Sequence, residues 1–273
     1  MNDNPFTDIH DEAAATGAEL RTQLLGSARR GFVPLRKTLV QRPRTEAVRA
    51  SVLADLVRNR KHRELKMLLL LHALHPVLGD PLPLRTWAAL VRGPALPCSP
   101  TQASDAFTVL AGRQLVTRSP KGQPFRVVPL LEDGSGEEFV QAGRPGADVG
   151  PGYFTVPYEF WTEGLVDQLG LPGTALFLII VADTTQKTSF EMAVEKAPGY
   201  YGISERTAER GYKQLADAGV LRVHGQTVND PRSSTGRRVI YHRALHSPYS
   251  TAARDERQKA TRKATRAREQ ATA

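Results

Sequence analysis

The 273-residue chain holds one cysteine, Cys98. A single thiol cannot close an internal disulfide or build a Cys-based zinc or iron–sulfur site, which excludes a disulfide-stapled secreted domain and a zinc finger. Long apolar runs are missing as well. The longest, Ala175 to Ala182, falls far short of the roughly 20 residues a bilayer span needs. The first twenty residues carry no Lys or Arg, the opposite of a signal or transit peptide. The expected location is cytoplasmic, at the nucleoid, with no membrane contact. No G-x-x-x-x-G-K-[ST] and no H-E-x-x-H is present, so neither a P-loop nor a zincin site is indicated. His72 and His75 lie three apart on an apolar stretch without a visible third ligand. No metal, cofactor or small-molecule ligand is expected, and no enzymatic activity. Cys98 reads as a small buried residue.

Positive charge is abundant. Lys and Arg total 37 against 28 Asp and Glu, a net charge of +9. The excess is unevenly spread: residues 21–63 hold twelve bases and only Glu46 and Asp55 as acids. Residues 132–152 are acidic and Gly-rich, and 250–273 are basic again. This pattern predicts an acidic tip and basic arm over 1–61, a compact unit over 62–131 and a flexible linker over 132–152. A second unit over 153–247 and a basic tail over 248–273 complete it. A basic arm and tail suit nucleic-acid phosphates; solubilising tails would carry the same composition.

The most informative stretch is ISERTAERGYKQLADAGVL, Ile203 to Leu221. Ser204 suits a helix N-cap. Ala208, Gly211, Tyr212, Leu215 and Ala216 follow at the spacing of one buried helical face. Gly219 suits a left-handed C-cap. Val220, Leu221 and Val223 begin a strand, Arg237 to His242 returns, and HGQTVNDPRSSTG reads as a polar loop between them. Gly173 to Asp183 predicts a buried upstream helix, and Phe190 to Ala197 a second.

Helix, glycine, strand, basic loop, strand closely resembles the winged helix-turn-helix family of bacterial DNA-binding domains over about residues 172–245. Shifted back by 105 residues, the pattern recurs. Ser99, Ala103, Ala106, Phe107, Leu110 and Ala111 fall on Ser204, Ala208, Gly211, Tyr212, Leu215 and Ala216. Leu65 to Leu78 and Leu84 to Val91 predict helices ahead of it, Ser119 to Pro124 a turn, and Phe125 to Leu131 a return strand. The expected fold is mainly α with small β wings, as two tandem winged-helix domains between a basic N-terminal arm and a basic C-terminal tail.

At about 100° per residue, Arg206, Arg210 and Lys213 point away from the face centred on Ala208. Such an outward basic stripe suits a major groove, where Arg can bond a guanine edge through two donors. The resemblance implies that Ser204, Arg206, Thr207, Arg210, Lys213 and Gln214 contact double-stranded DNA, with Arg232, Arg237 and Arg238 acting from the wing. A solvated face paired with Glu205 and Glu209 would have the same spacing. The matching outward positions of the first unit are Thr101, Asp105 and Thr108, none of them basic. That unit is expected to touch the backbone through Arg113, Arg118, Lys121 and Arg126, or to form a homodimer.

The expected function is sequence-specific binding of double-stranded DNA by a transcriptional regulator. The alternative is a plasmid or phage replication initiator, since two winged helices in one chain are similar to that architecture. A protein-docking module is a third class. Tyr241 to His246 is similar to the His/Arg clusters of tyrosine recombinases, but Tyr249 lies too close to serve as their nucleophile.

Overall fold

A computed structural model of the chain describes residues 15–28, 30–43, 51–120, 123–144, 146–147 and 149–272. About 48 % is helical, with small antiparallel sheets, so the class is mainly α with small β elements. The acidic tip up to residue 14, the stretch 44–50 of the arm and Lys121 lie outside the described residues.

The first described helix, α1 (Gly17–Gly26), starts on a reciprocal cap. The Thr16 hydroxyl accepts from the Glu19 N–H, and the Glu19 carboxylate accepts from the Thr16 N–H at 2.7 Å. β1 (Phe32–Arg36) follows, buried throughout. α2 (Val52–Arg58) is capped by Ser51, and α3 (His62–Leu74) is buried from Glu64 to Leu74. Its Met67 to Leu71 run is apolar all round, which suits a central helix. α4 (Leu84–Val91) and α5 (Pro100–Gly112) pack against it. Ser99 and Gln102 close a capping box on α5, with Pro100 in its first turn. β2 (Val116–Arg118) and β3 (Val127–Pro129) form a short hairpin.

The second half opens with β4 (Tyr153–Pro157). Two single-turn helices, α6 (Glu159–Thr162) and α7 (Leu165–Gln168), lead into α8 (Leu171–Asp183). α8 is buried from Gly173 to Ala182, as its apolar run predicts. The expected helix at 190–197 is absent. Phe190 is extended and pairs with Arg243, Val194–Lys196 is a 3-10 turn, and α9 (Ala197–Tyr201) comes later. Pro198 explains the shift, because proline fits a first helical turn and not an interior. α10 (Glu205–Asp217), the hairpin of β5 (Leu221–Asn229) and β6 (Arg237–Leu245), and α11 (Thr251–Thr272) complete the chain. α5 and α10 are both 13 residues long and begin 105 positions apart, in the register read from the sequence.

Three segments differ from expectation. The arm is woven into the fold: β1 pairs antiparallel with β4, Phe32 opposite Pro157 and Arg36 opposite Tyr153. Two of its bases serve inside. Arg36 is buried and ion-paired to Glu132 at 2.8 Å. Arg21 is buried, donates to the Leu90 carbonyl at 2.7 Å and pairs with Asp167, which also takes Lys66 at 3.3 Å. Part of the 132–152 stretch, expected to be flexible, packs against the core. Glu132, Gln141 and Ala142 are buried, and Phe139 meets His72 and His75 edge-on at 5.0 and 5.4 Å. The tail is helical, and its start is anchored. Arg254 is 3 % exposed and donates to the carbonyls of Tyr249, Val181 and Thr184. One continuous apolar core runs from Leu25 to Tyr249 and joins both halves.

Candidate nucleic-acid interface

α10 is set by its cap and its glycine. The Ser204 hydroxyl accepts from the Thr207 N–H at 3.2 Å, and the two hydroxyls meet at 2.9 Å. Gly211 faces α8 so closely that a Cβ would sit 2.6 Å from the Pro172 carbonyl and 2.8 Å from the Leu176 Cβ. Ala208, Gly211 and Leu215 are buried, and Gly219 takes the left-handed conformation at φ +69. Ala216 is exposed, one position off the predicted face.

On the opposite side, Arg206, Arg210 and Lys213 are exposed, as expected. Among the described residues, neither Arg206 nor Arg210 has an ion-pair partner. Lys213 is tied to Asp217, one turn on, at 3.0 Å. The basic stripe is therefore strongest over the N-terminal half of α10. Gln214 does not join it. Its Oε1 turns inward and accepts the Gly173 N–H at 2.8 Å, capping α8. Ser204 and Thr207 spend their hydroxyls on each other and on the helix start.

The hairpin is longer than read from sequence. The strands run to Asn229 and from Arg237, leaving only residues 230–236 as loop. Thr227 and Val228 oppose Val239 and Arg238, and β-branched residues extend the ladder into the segment expected to be loop. Arg232, Arg237 and Arg238 are exposed near the tip, and Arg238 meets Asp230 at 3.5 Å. At the base, the Arg243 guanidinium lies 4.0 Å over the Tyr212 ring, and both side chains donate to the Met192 carbonyl at 3.1 and 3.0 Å. This clamp fixes the hairpin against α10.

The first unit presents Thr101, Asp105 and Thr108 outward on α5. Arg118 is held by Thr108, by the Ser104 carbonyl at 3.3 Å and over the Phe125 ring. Arg113 is paired with Asp55 at 2.7 Å. Two of the four bases expected to contact backbone, Arg113 and Arg118, are thus already engaged; Arg126 is exposed, and Lys121 lies outside the described residues.

A feature missed from sequence lies between the halves. A cleft of about 830 Å³ is lined by Arg58, Arg60 and His62 on one side and Pro172, Arg206 and Arg210 on the other. Burial, with Lys66 and Arg63 nearby, pushes the His62 imidazole down to about 4. The R-N-R-K-H-R run at 58–63 was the available signal, but it reads as part of an arm until α2 and α3 are folded.

His72 is fully enclosed with neither ring nitrogen bonded, and burial lowers its pKa. Cys98 is buried, which raises its thiol pKa. Among the described residues no three His, Cys, Asp or Glu side chains cluster to hold a metal, and no helix is long and apolar enough to cross a membrane. No protein-family model matches the chain, and neither a curated protein nor a solved structure matches it significantly.

Proposed function

We propose that this protein binds double-stranded DNA in a sequence-specific manner and works at the nucleoid as a transcriptional regulator, without catalytic activity. The observation that carries the reading is the exposed Arg206–Arg210 pair at the capped start of α10, braced beside an Arg-tipped hairpin. A helix presented N-terminus first with outward Arg side chains matches what a major groove admits. A hairpin beside such a helix can serve as a wing toward an adjacent groove, and the exposed Arg232, Arg237 and Arg238 near its tip suit phosphate. The order α8, α9, α10, hairpin, with Phe190 adding to β6, supports a winged-helix identity for the second half. The matching length and spacing of α5 support a tandem pair.

A second reading, a replication initiator, is favoured by the way both halves share one core, which suits a long site of fixed geometry. Selection from a random duplex library, followed by footprinting beside the gene, tests both. Protection of an inverted repeat over the promoter supports a regulator; protection of an iterated array supports an initiator. Affinity should also fall steeply with salt. About six neutralised phosphates give a log–log slope of about −5. A flat salt response would remove the nucleic-acid reading.

A further inference from the structure

The cleft between the halves has the makings of an anion site. Its walls come from segments more than a hundred residues apart: Val57 to His62 at the α2–α3 turn, and the starts of α8 and α10. The buried core holds both walls, so the juxtaposition is built into the fold. Four exposed guanidiniums line it, those of Arg58, Arg60, Arg206 and Arg210, and no carboxylate does.

The single acid of α2 is committed elsewhere. One Asp55 oxygen accepts from Asn59 at 2.8 Å, and the other is paired with Arg113 at 2.7 Å. Among the described residues none of the four arginines has an ion-pair partner; Glu205 and Glu209 adjoin Arg206 and Arg210 in sequence but do not line the cleft. Three 13-residue helices, α3, α8 and α10, also begin at the cleft, adding the positive ends of their dipoles. Arg60 itself sits at φ +56, a left-handed conformation costly for a residue with a Cβ. The tight turn at Asn59–Arg60 brings two arginines to one wall.

The lining also says which anion fits. It contains no Phe, Tyr or Trp ring to stack a base and no Asn or Gln to pair with one, and its single imidazole, His62, is half-buried. Its two hydroxyls, on Ser204 and Thr207, are bonded to each other. Guanidinium forks and helix starts suit phosphate oxygens, and Arg58 and Arg60 stand on the wall opposite the base-reading Arg206 and Arg210. The cleft is also an open trough, far larger than one phosphate group.

We propose that this cleft seats the sugar–phosphate backbone of the DNA strand bordering the base pairs that α10 reads, with Arg58 and Arg60 as phosphate ligands. This rests on the DNA-binding reading of α10. It gives the first half a role that its own α5, with Asp105 outward, is unsuited to play.

The test is the double variant Arg58→Ala/Arg60→Asn, measured by fluorescence anisotropy on the selected duplex and on unrelated duplexes. Asn tolerates the left-handed backbone at position 60, and both side chains are exposed, so the fold should hold. Affinity should drop roughly 5- to 30-fold on every duplex, with the salt slope shallower by about one to two units and the preferred sequence unchanged. Phosphate-ethylation interference should vanish at one or two phosphates beside the base pairs read by α10. Arg85→Ala, removing one exposed charge from α4, should leave binding as it was.

If the double variant binds like the wild type while the wild type is sequence-specific, the cleft proposal is overturned and the reading of α10 stands. If the wild type binds no duplex, both fall. If inorganic tripolyphosphate binds the wild type saturably by calorimetry, loses that binding in the double variant and does not compete with DNA, the site belongs to a small polyanion and the proposal is overturned.

Discussion

Arg206 and Arg210 stand one helical turn apart and, among the described residues, have no ion-pair partner although Glu205 and Glu209 adjoin them in sequence, whereas Lys213, about one turn further, is held by Asp217. This difference ranks them. Changing Arg206 or Arg210 to Ala should cost about 1–3 kcal/mol on the preferred duplex and relax preference at one base position. Lys213→Ala should cost less, because Asp217 already offsets its charge. Asp105→Ala on α5 should slightly raise affinity for all duplexes without altering the preferred sequence. Library selection with each variant reads all four; a changed preference in the Asp105 variant alone would place base reading in the first half. Gly211 tests the scaffold. Ala there must displace the Pro172 carbonyl and Leu176, so a loss of about 1–3 kcal/mol is expected in urea unfolding. Unchanged stability would mean that α8 and α10 are not packed this closely.

At the scale of elements, the tail divides in two. Arg254 bonds to α8 and the turn before α11, Arg257 pairs with Glu159, and Gln258 donates to Thr155 at 3.2 Å. Beyond Arg262 the side chains of Lys263 and Arg266 are exposed. Removing residues 263–273 should therefore lower the melting temperature far less than removing the whole tail and weaken binding to all duplexes alike. Removing 250–273 should lower the melting temperature, since it leaves the Val181 and Thr184 carbonyls without their donor. Equal melting of the two truncations would contradict the anchoring. Local pattern was enough to read α5, α8 and α10, because capping serines, apolar runs and 3.6-residue spacing are written in neighbouring residues. It could not reveal β1, a short stretch containing Pro34 whose partner β4 lies far along the chain. Nor could it show that Gln214, placed beside the outward stripe by angle alone, would turn back to cap α8. The buried arginines were misread for the same reason: Arg21 and Arg36 look like their exposed neighbours until Asp167 and Glu132 arrive from distant segments.

The whole molecule should be sensitive to acid. The unfolded chain protonates its imidazoles near pH 6.5, but folded His62 stays neutral down to about 4, and burial also lowers His72 and His75. Between these limits the unfolded state binds more protons, so stability rises with pH and is lost as pH falls from about 6.5 toward 4. Melting curves at pH 7.5, 6 and 5 should show a progressive decrease, and His72→Leu should flatten it. A melting temperature independent of pH over that range would show that these rings are not held neutral. The strand exchange between β1 and β4 has a further consequence for a cut chain. A protease nick between residues 143 and 150 would separate two fragments in sequence, yet β1 and α1 would remain on the first fragment, still bonded to β4 and α6 of the second. The nicked protein should migrate as one species under native conditions and as two in denaturant, a behaviour that two independently folded beads on a string would not show.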